Sequence, residues 1–309
     1  MNVLISGGTG LIGTALTTRL TGDGHQVTSL VRAGRSRPTD PAVRSVAWEP
    51  DLGVIDRPAL RSAGPFNGVI NLAGAGIGDR RWSPERKQTL LESRTRSTQL
   101  LAETLTRMVP LPAVLVSASA IGYYGVQGDE VLTETSPAGT DFLGGLCQAW
   151  EAAAQPALDA GIRTVNLRTG VVLSAEGGAL AKQVPLFRIG AGGRMGPGTQ
   201  YRSWITLEDE VGVIVRCLED PELSGPVNAT APAPATDAEL ARAIGAALHR
   251  PALLSAPAPA LRLVLGTEMA EELLLGGQRV LPAVLTAHGF PFTHPELDEA
   301  VRSALGGPG

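Results

Sequence analysis

What the chain lacks narrows its possibilities before any motif is read. Only two cysteines, Cys147 and Cys217, stand among 309 residues. Each falls inside an apolar helical pattern, with no Cys or His at ligand spacing. A disulfide-stapled scaffold and a structural zinc site are thereby excluded, and buried free thiols in a reducing compartment are expected. The four histidines, His25, His249, His288 and His294, form no motif. Hydrolase and metalloenzyme readings fall away with them, and the expected metal set is none. Lysine is reduced to Lys87 and Lys182, while arginine is scattered and alanine abundant, a pattern read as compositional drift. No basic run stands out, and the net charge of −4 with a pI near 5.7 argues against nucleic acid or an anionic membrane as partner. No window reaches the roughly 18 apolar residues of a membrane span. The first apolar run is far shorter than a signal peptide's, and Asn2 stands where basic residues would be. A soluble cytoplasmic protein is expected. Its length and 43% hydrophobic content suit one large or two modest domains with an ample core.

What is present is concentrated in the first thirteen residues, Met1-Asn-Val-Leu-Ile-Ser-Gly7-Gly-Thr-Gly10-Leu-Ile-Gly13. A short apolar strand, Val3 to Ile5, runs into glycines spaced by three and then into a helical pattern from Leu11 to Leu20. This is how a chain prepares to hold a dinucleotide pyrophosphate. Gly7 permits the tight turn, Gly10 lets phosphate approach bare backbone, and Gly13 lets the helix pack close to the sheet. Thr9, Leu11 and Ile12 complete the expected phosphate loop. A glycine motif alone is weak evidence; its place between a strand and a helix strengthens it.

Strand-like and helix-like runs then alternate, as in a parallel sheet covered by helices. Strands are expected at Gln26–Val31, Arg44–Trp48, Gly68–Ala73, Ala113–Ser117 and Arg163–Leu167. Helices are expected at Pro84–Met108 and Leu143–Ala160. After about residue 175 the texture changes. Gly190–Gly198 is too glycine-rich for regular structure. Leu207–Leu218 and Asp237–Leu248 read as helical, and so does the tail from Leu261 to Leu285, interrupted at Gly276-Gly277. The fold class is α/β, a Rossmann-type doubly wound parallel sheet with a smaller C-terminal α/β substrate part. Residues 1–225 form the expected nucleotide-binding domain, with 175–205 contributing to the substrate pocket, and residues 226–309 the C-terminal domain.

In such sheets an acid ending the second strand takes the ribose hydroxyls of NAD, whereas an arginine accommodates a 2′-phosphate. Here Arg32 follows Leu30-Val31 directly, Arg35 comes three residues later, and no acid appears before Asp40. A guanidinium grips phosphate bidentately, so the expected cofactor is NADP(H), with Arg32 and Arg35 as its readers and Arg37 an alternative.

Several further segments together resemble a known family. Gly7-x-x-Gly10-x-x-Gly13 is the pattern of extended and atypical short-chain dehydrogenases/reductases. Asn71-Leu-Ala-Gly74 resembles that superfamily's cofactor-lining Asn-x-Ala-Gly, and Val116-Ser-Ala-Ser-Ala-Ile-Gly-Tyr-Tyr-Gly125 resembles the Ser-Ser-x-x-x-Tyr-Gly of nucleotide-sugar epimerases. Trp204-Ile-Thr-Leu-Glu-Asp209 is similar to their Val-x-Val-x-Asp stretch. Gly74-Ala-Gly-Ile-Gly-Asp-Arg-Arg-Trp82, Ser93-Arg-Thr-Arg-Ser97, Arg202-Ser-Trp-Ile205 and Gly289-Phe-Pro-Phe-Thr-His-Pro295 resemble the "epimerase family" branch. Chains of that branch end in a small domain of unknown function, which the segment from about Leu261 to Leu305 resembles. The resemblance implies a Rossmann fold, a nicotinamide cofactor touched by Asn71, Ala73, Gly74 and Ser117, and cytoplasmic residence. It also allows a homodimer built on paired helices.

The superfamily's usual chemistry needs a Tyr as general acid/base and a Lys four residues on, which favours the phenolate and holds the nicotinamide ribose. No Tyr-x-x-x-Lys exists here: Gln127, Gly128 and Ile205 follow Tyr123, Tyr124 and Tyr201 by four. Counting back from Glu151 puts Cys147 at the Lys position and Leu143 at the Tyr position. The remaining catalytic candidates are Ser119, to polarise a carbonyl or hydroxyl, and Tyr123 or Tyr124, to donate a proton. Arg168, Tyr201 and Arg202 are the substrate-binding candidates, the two arginines as anion clamps, with Arg80 and Arg81 weaker ones. Substrate is expected between the nicotinamide and the Gly190–Gly198 loop. Glu268, Glu271 and Glu272 read as a solvated helix face. The expectation is an NADP(H)-dependent oxidoreductase or epimerase-like isomerase acting on a small molecule; the alternative is a non-catalytic NADP(H) binder that senses redox state.

Overall fold

The computed structural model describes residues 1–34 and 40–306. Among them, eight strands form one sheet: β1 (Asn2–Ser6), β2 (Gln26–Val31), β3 (Arg44–Glu49), β4 (Val54–Ile55), β5 (Gly68–Asn71), β6 (Val114–Ala120), β7 (Arg163–Thr169) and β8 (Gly225–Ala229). Their order is β8-β7-β6-β5-β1-β2-β3-β4. Every pairing is parallel except the short β3–β4 contact. The chain leaves β1 toward β2 on one side and returns to β5 on the other. The crevice at that reversal, at the carboxyl ends of the strands, is where ligands of open α/β sheets bind.

The strands read as continuous apolar runs because helices cover both faces. Val3 and Ile5 turn to one face, where they join Leu16 and Leu20 of α1 (Leu11–Gly22). Leu4, Val69 and Leu115 turn to the other, against Leu101 and Leu105 of α2 (Pro84–Leu105). Each of these side chains is fully buried, and each contributes about 1.5–3 kcal/mol by leaving water. α3 (Phe142–Ala152) lies beyond β6, and α4 (Leu207–Glu219) packs Val213 and Ile214 beside α1.

Three expectations are corrected. The single helix read over Leu143–Ala160 is two, because Pro156 has no N–H to continue the first: α3 ends at Ala152, and Gln155–Asp159 starts afresh. The Gly190–Gly198 segment is not wholly irregular, since Gly193–Met195 pairs in parallel with Leu254–Ala256. There Gly193 is required, as a Cβ would collide with the Leu254 carbonyl. The helical reading of the tail also breaks after Gly277, where Arg279–Val280 pairs with Val131–Leu132 before a helix resumes at Ala283–Ala287. This ties the last quarter of the chain to the loop after β6. The boundary placed at 225/226 falls at the start of β8, inside the main sheet. No helix among the described residues is long and apolar enough to cross a membrane.

Candidate functional site

The glycine loop emerges from β1 in the geometry its spacing requires. Gly7 has φ +75°, and a Cβ there would stand 2.6 Å from the Leu72 carbonyl oxygen. A Cβ on Gly13 would overlap the Gly7 carbonyl, so helix and loop can close only on glycine. Gly10 N–H donates to the Gly7 carbonyl at 3.0 Å and is itself the N-cap of α1, with no side chain capping the first turn. The first-turn N–H groups of Leu11 and Ile12 therefore face outward with the positive end of the helix dipole. That is an anion site.

The loop opens into a cleft of about 850 Å³, whose walls include Gly7, Thr9, Gly10, Arg32, Ala73 and Gly74. Arg32 follows β2 directly, as expected; Arg35 and Arg37 lie outside the described residues. Asn71 and Ser117 stand behind the wall. Asn71 is fully buried, accepts from Ser6 Oγ at 2.5 Å and donates to Thr98 Oγ1 at 2.7 Å, locking β1, β5 and α2 together. Ser117 sits beside it in register, buried, with its Oγ unpartnered. Arg86 and Arg96 of α2 also line the cleft, where the sequence reading had not placed them. Arg80 joins them there, whereas Arg81 lies against Gly266. A separate hollow of about 580 Å³, around Phe66 and Met108, lies at the amino ends of the strands and holds none of the motif residues.

A second, smaller cavity of about 210 Å³ abuts the cleft, with Ile77 and Arg94 in its wall next to Gly76 and Ser93 of the cleft. Leu143 and Cys147 line it, at the positions where the superfamily pattern would put Tyr and Lys. Burial pushes the Cys147 thiol up to about 12, so it is no substitute for an ammonium. The far wall is Tyr201, Arg202 and Ser203 with Glu272, Leu273, Gly276 and Gln278. The Gly190–Gly198 loop, beside which substrate was expected, does not line it.

The expected catalytic trio lies elsewhere. Ser119 donates to Glu151 Oε1 at 2.7 Å, and Tyr124 is fully buried, donating to Asn228 Oδ1 at 2.6 Å and accepting from Arg168 Nη1 at 3.0 Å. Burial first, against the opposing charge of Arg168, raises the Tyr124 pKa further from neutrality. Tyr123 lies under the Arg168 guanidinium, 3.4 Å from ring centroid to Cζ. None of the three lines the cavity. Arg168 itself forks onto Glu151 at 2.8 and 3.0 Å. Burial works against its charge, but Glu151 and Tyr124 together outweigh burial and hold its pKa above the ordinary value. Arg168 is thus an internal ion-pair residue, where an anion clamp was expected. Arg202 donates to Asp237 Oδ1 at 3.2 Å, to the Leu273 carbonyl at 2.8 Å and to the Leu274 carbonyl. All three of its guanidinium nitrogens hold protein acceptors, so it clasps the 271–275 segment in place of an anion. Tyr201 does reach the cavity.

Glu272 corrects another expectation. Glu268 pairs with Lys87 and Glu271 with Arg262 at the surface. Glu272, however, turns inward, accepts the Phe142 and Leu143 N–H groups at 3.3 and 2.9 Å, and lines the cavity. Burial raises its pKa. Among the described residues no cluster of His, Cys, Asp and Glu could hold a metal ion.

Known proteins place this arrangement. Residues 3–229 match the NAD dependent epimerase/dehydratase family, and residues 256–304 match a domain of unknown function, DUF1731. An epimerase family protein of Mycobacterium tuberculosis is 44% identical over 307 residues, covering 99% of this chain and 98% of that one. The crystal structure of human epimerase family protein SDR39U1 (isoform 2) with NADPH superposes with a TM-score of 0.87 at 36% identity, covering 98% of this chain and 99% of that one. Thermus thermophilus UDP-glucose 4-epimerase in complex with NAD shares the fold, with a TM-score of 0.74 at 19% identity over 99% and 98% of the two chains. The chain belongs to the NAD-dependent epimerase/dehydratase family, with the DUF1731 segment following its Rossmann sheet.

Proposed function

We propose that the protein is an NADP(H)-dependent oxidoreductase acting on a small, mostly apolar molecule, without the Tyr/Lys acid–base pair. The observation that carries this reading is the junction of cleft and cavity along Gly74–Ile77. A dinucleotide seated on the glycine loop extends from the cleft toward the cavity. The residues present fit the cofactor: a glycine cradle that a Cβ would fill, an uncapped helix N-terminus, an arginine after β2, and a buried unpartnered Ser117 hydroxyl. The relative crystallised with NADPH supports the choice of phosphorylated dinucleotide. When bound, the nicotinamide supplies or accepts a hydride.

The residues divide the remaining work. The outward N–H groups of Leu11 and Ile12 bind pyrophosphate, and Arg32 grips the 2′-phosphate. Ala73 and Gly74 present bare backbone to the ribose. Glu272, whose pKa burial raises, and Tyr201 are the titratable groups that line the cavity and serve as its proton carriers. A volume of about 210 Å³ is below the ~300–1,000 Å³ of drug-sized ligand sites, which favours a compact carbonyl or alcohol over a sugar nucleotide.

One observation favours a second reading, a non-catalytic NADP(H) binder: Ser119 and Tyr124 are committed to Glu151, Arg168 and Asn228. Oxidation of NADPH by purified protein in a panel of small aldehydes, ketones and quinones separates the two. The test of the cofactor itself is titration with NADPH and NADH. Arg32→Glu is expected to weaken NADPH at least ~10-fold, through loss of a charge-assisted phosphate contact, and to leave NADH nearly unchanged. Equal binding of both dinucleotides by the unaltered protein would remove the NADP(H) assignment.

A further inference from the structure

Arg94, in the middle of α2, is 9% exposed, yet no carboxylate among the described residues pairs with it. Its Nη1 donates to the Leu90 carbonyl one turn back at 3.0 Å, and its Cζ lies 4.9 Å from the Trp150 ring centroid. Its Nε is buried with no partner at all. An arginine cannot escape burial by losing its proton. Burial does press its pKa down to about 10, with the Cys147 thiol acting weakly the other way, and the group remains a cation at any physiological pH.

Its position is as telling as its charge. A Cβ on Gly74 would stand 3.3 Å from both Cγ and Cζ of Arg94, so the side chain lies flat against the one residue of Asn71-x-x-Gly74 that has no side chain. Gly74 lines the cleft and Arg94 lines the cavity, so the guanidinium stands at the passage between the two. The same cavity wall holds Cys147, at the position where a Lys would have been. The positive charge missing from α3 is therefore present beside the same cavity, on α2.

We propose that Arg94 is a dinucleotide-binding residue, donating from its unpartnered guanidinium N–H groups to the ribose of the nicotinamide half. This rests on the cofactor reading given above. It gives a physical reason for three features at once: the buried cation without a counter-ion, the glycine that makes room for it, and the absence of lysine from α3. A buried donor left without an acceptor is costly, and more so when it is charged. A ligand that supplies hydroxyl and ether acceptors there recovers that cost on binding.

The test compares two ligands that share the adenine half. NADPH contains the nicotinamide ribose; adenosine 2′,5′-bisphosphate does not. Affinities of both are measured by calorimetry for the unaltered protein, Arg94→Met and Arg94→Lys, with circular dichroism confirming that each variant is folded. Arg94→Met is expected to weaken NADPH ~10-fold or more while changing adenosine 2′,5′-bisphosphate less than ~2-fold, and Arg94→Lys to restore much of the loss. An unchanged NADPH affinity in Arg94→Met overturns the proposal and leaves the cation to the substrate. An equal loss for both ligands also overturns it, because the defect would then be structural. If the unaltered protein binds neither ligand, the cofactor reading falls, and this inference falls with it. Should Arg94→Met fail to fold, Arg94→Lys decides alone: a partial loss confined to NADPH supports the role, and unchanged NADPH binding or equal weakening of both ligands refutes it.

Discussion

Arg168 and Arg94 are both arginines buried within the same fold, at 3% and 9% exposure, and they are opposites in every other respect. Arg168 holds both Glu151 oxygens, the Tyr124 hydroxyl and the Glu134 carbonyl, with the Tyr123 ring beneath it. Arg94 holds one carbonyl of its own helix and the face of Trp150. Burial alone does not distinguish a structural charge from a functional one; the completeness of its partners does. The region around Arg168 is a closed network that joins β6, β7, α3 and, through Asn228 and the Leu281 carbonyl, the C-terminal segment. The region around Arg94 is open toward the small cavity that it lines.

The strongest way to break this comparison is to open the closed network. Glu151→Ala leaves the Arg168 cation buried without its counter-ion and frees the Ser119 hydroxyl. A destabilisation of about 3–5 kcal/mol is expected, as for other broken buried pairs, read as a shift in urea midpoint with unchanged slope. A loss below ~1 kcal/mol would mean that water replaces Glu151 and that the network is not closed.

A third buried group sharpens the contrast, because a carboxyl has an exit that arginine lacks. Glu210 on α4 is fully buried, accepts from Thr169 Oγ1 at 2.8 Å, and leaves Oε2 unpartnered. Burial raises its pKa from 4.5 to about 8, so at neutral pH it avoids the cost of charge by keeping its proton. Between those two values the folded state binds more protons than the unfolded one, and stability falls as pH rises. The slope from this group is about 1.4 kcal/mol per pH unit. Glu210→Gln should flatten thermal stability between pH 5 and 8; an unchanged slope would show Glu210 to be ionised throughout.

Much of this was legible in the sequence. The sheet was, because strands covered on both faces are unbroken apolar runs, and so was the phosphate loop, because three backbone requirements fall on three glycines. The Arg168 network was not: Glu151 lies 17 residues upstream on another element, and only the packing of α3 on β6 and β7 makes them neighbours. The internal partners of Ser119 and Tyr124 were hidden for the same reason, since a polar residue after a strand looks identical whether it faces ligand or a buried partner. The far cavity wall, Glu272 to Gln278, was hidden by a helical pattern that gives way to a bend and a short strand. Arg94 did leave a trace. Leu90, Arg94, Leu101 and Leu105 share the buried stripe of α2, and an arginine on an apolar stripe asks for a partner.

The smallest expected effect is the most discriminating. If Arg94 belonged to the architecture as Arg168 does, its removal would be costly. If it is held for ligand, removal takes away an uncompensated buried cation together with one local hydrogen bond and a contact with Trp150, and these nearly cancel. Arg94→Met should therefore shift ligand-free stability by less than about 1 kcal/mol in either direction, against the several expected for Glu151→Ala. The stabilisation that saturating NADPH confers, which tracks affinity through mass action, should shrink in the same variant. Ligand-free unfolding of Arg94→Met that matched the loss in Glu151→Ala would place the two arginines in one class, and partner counting would then not separate them.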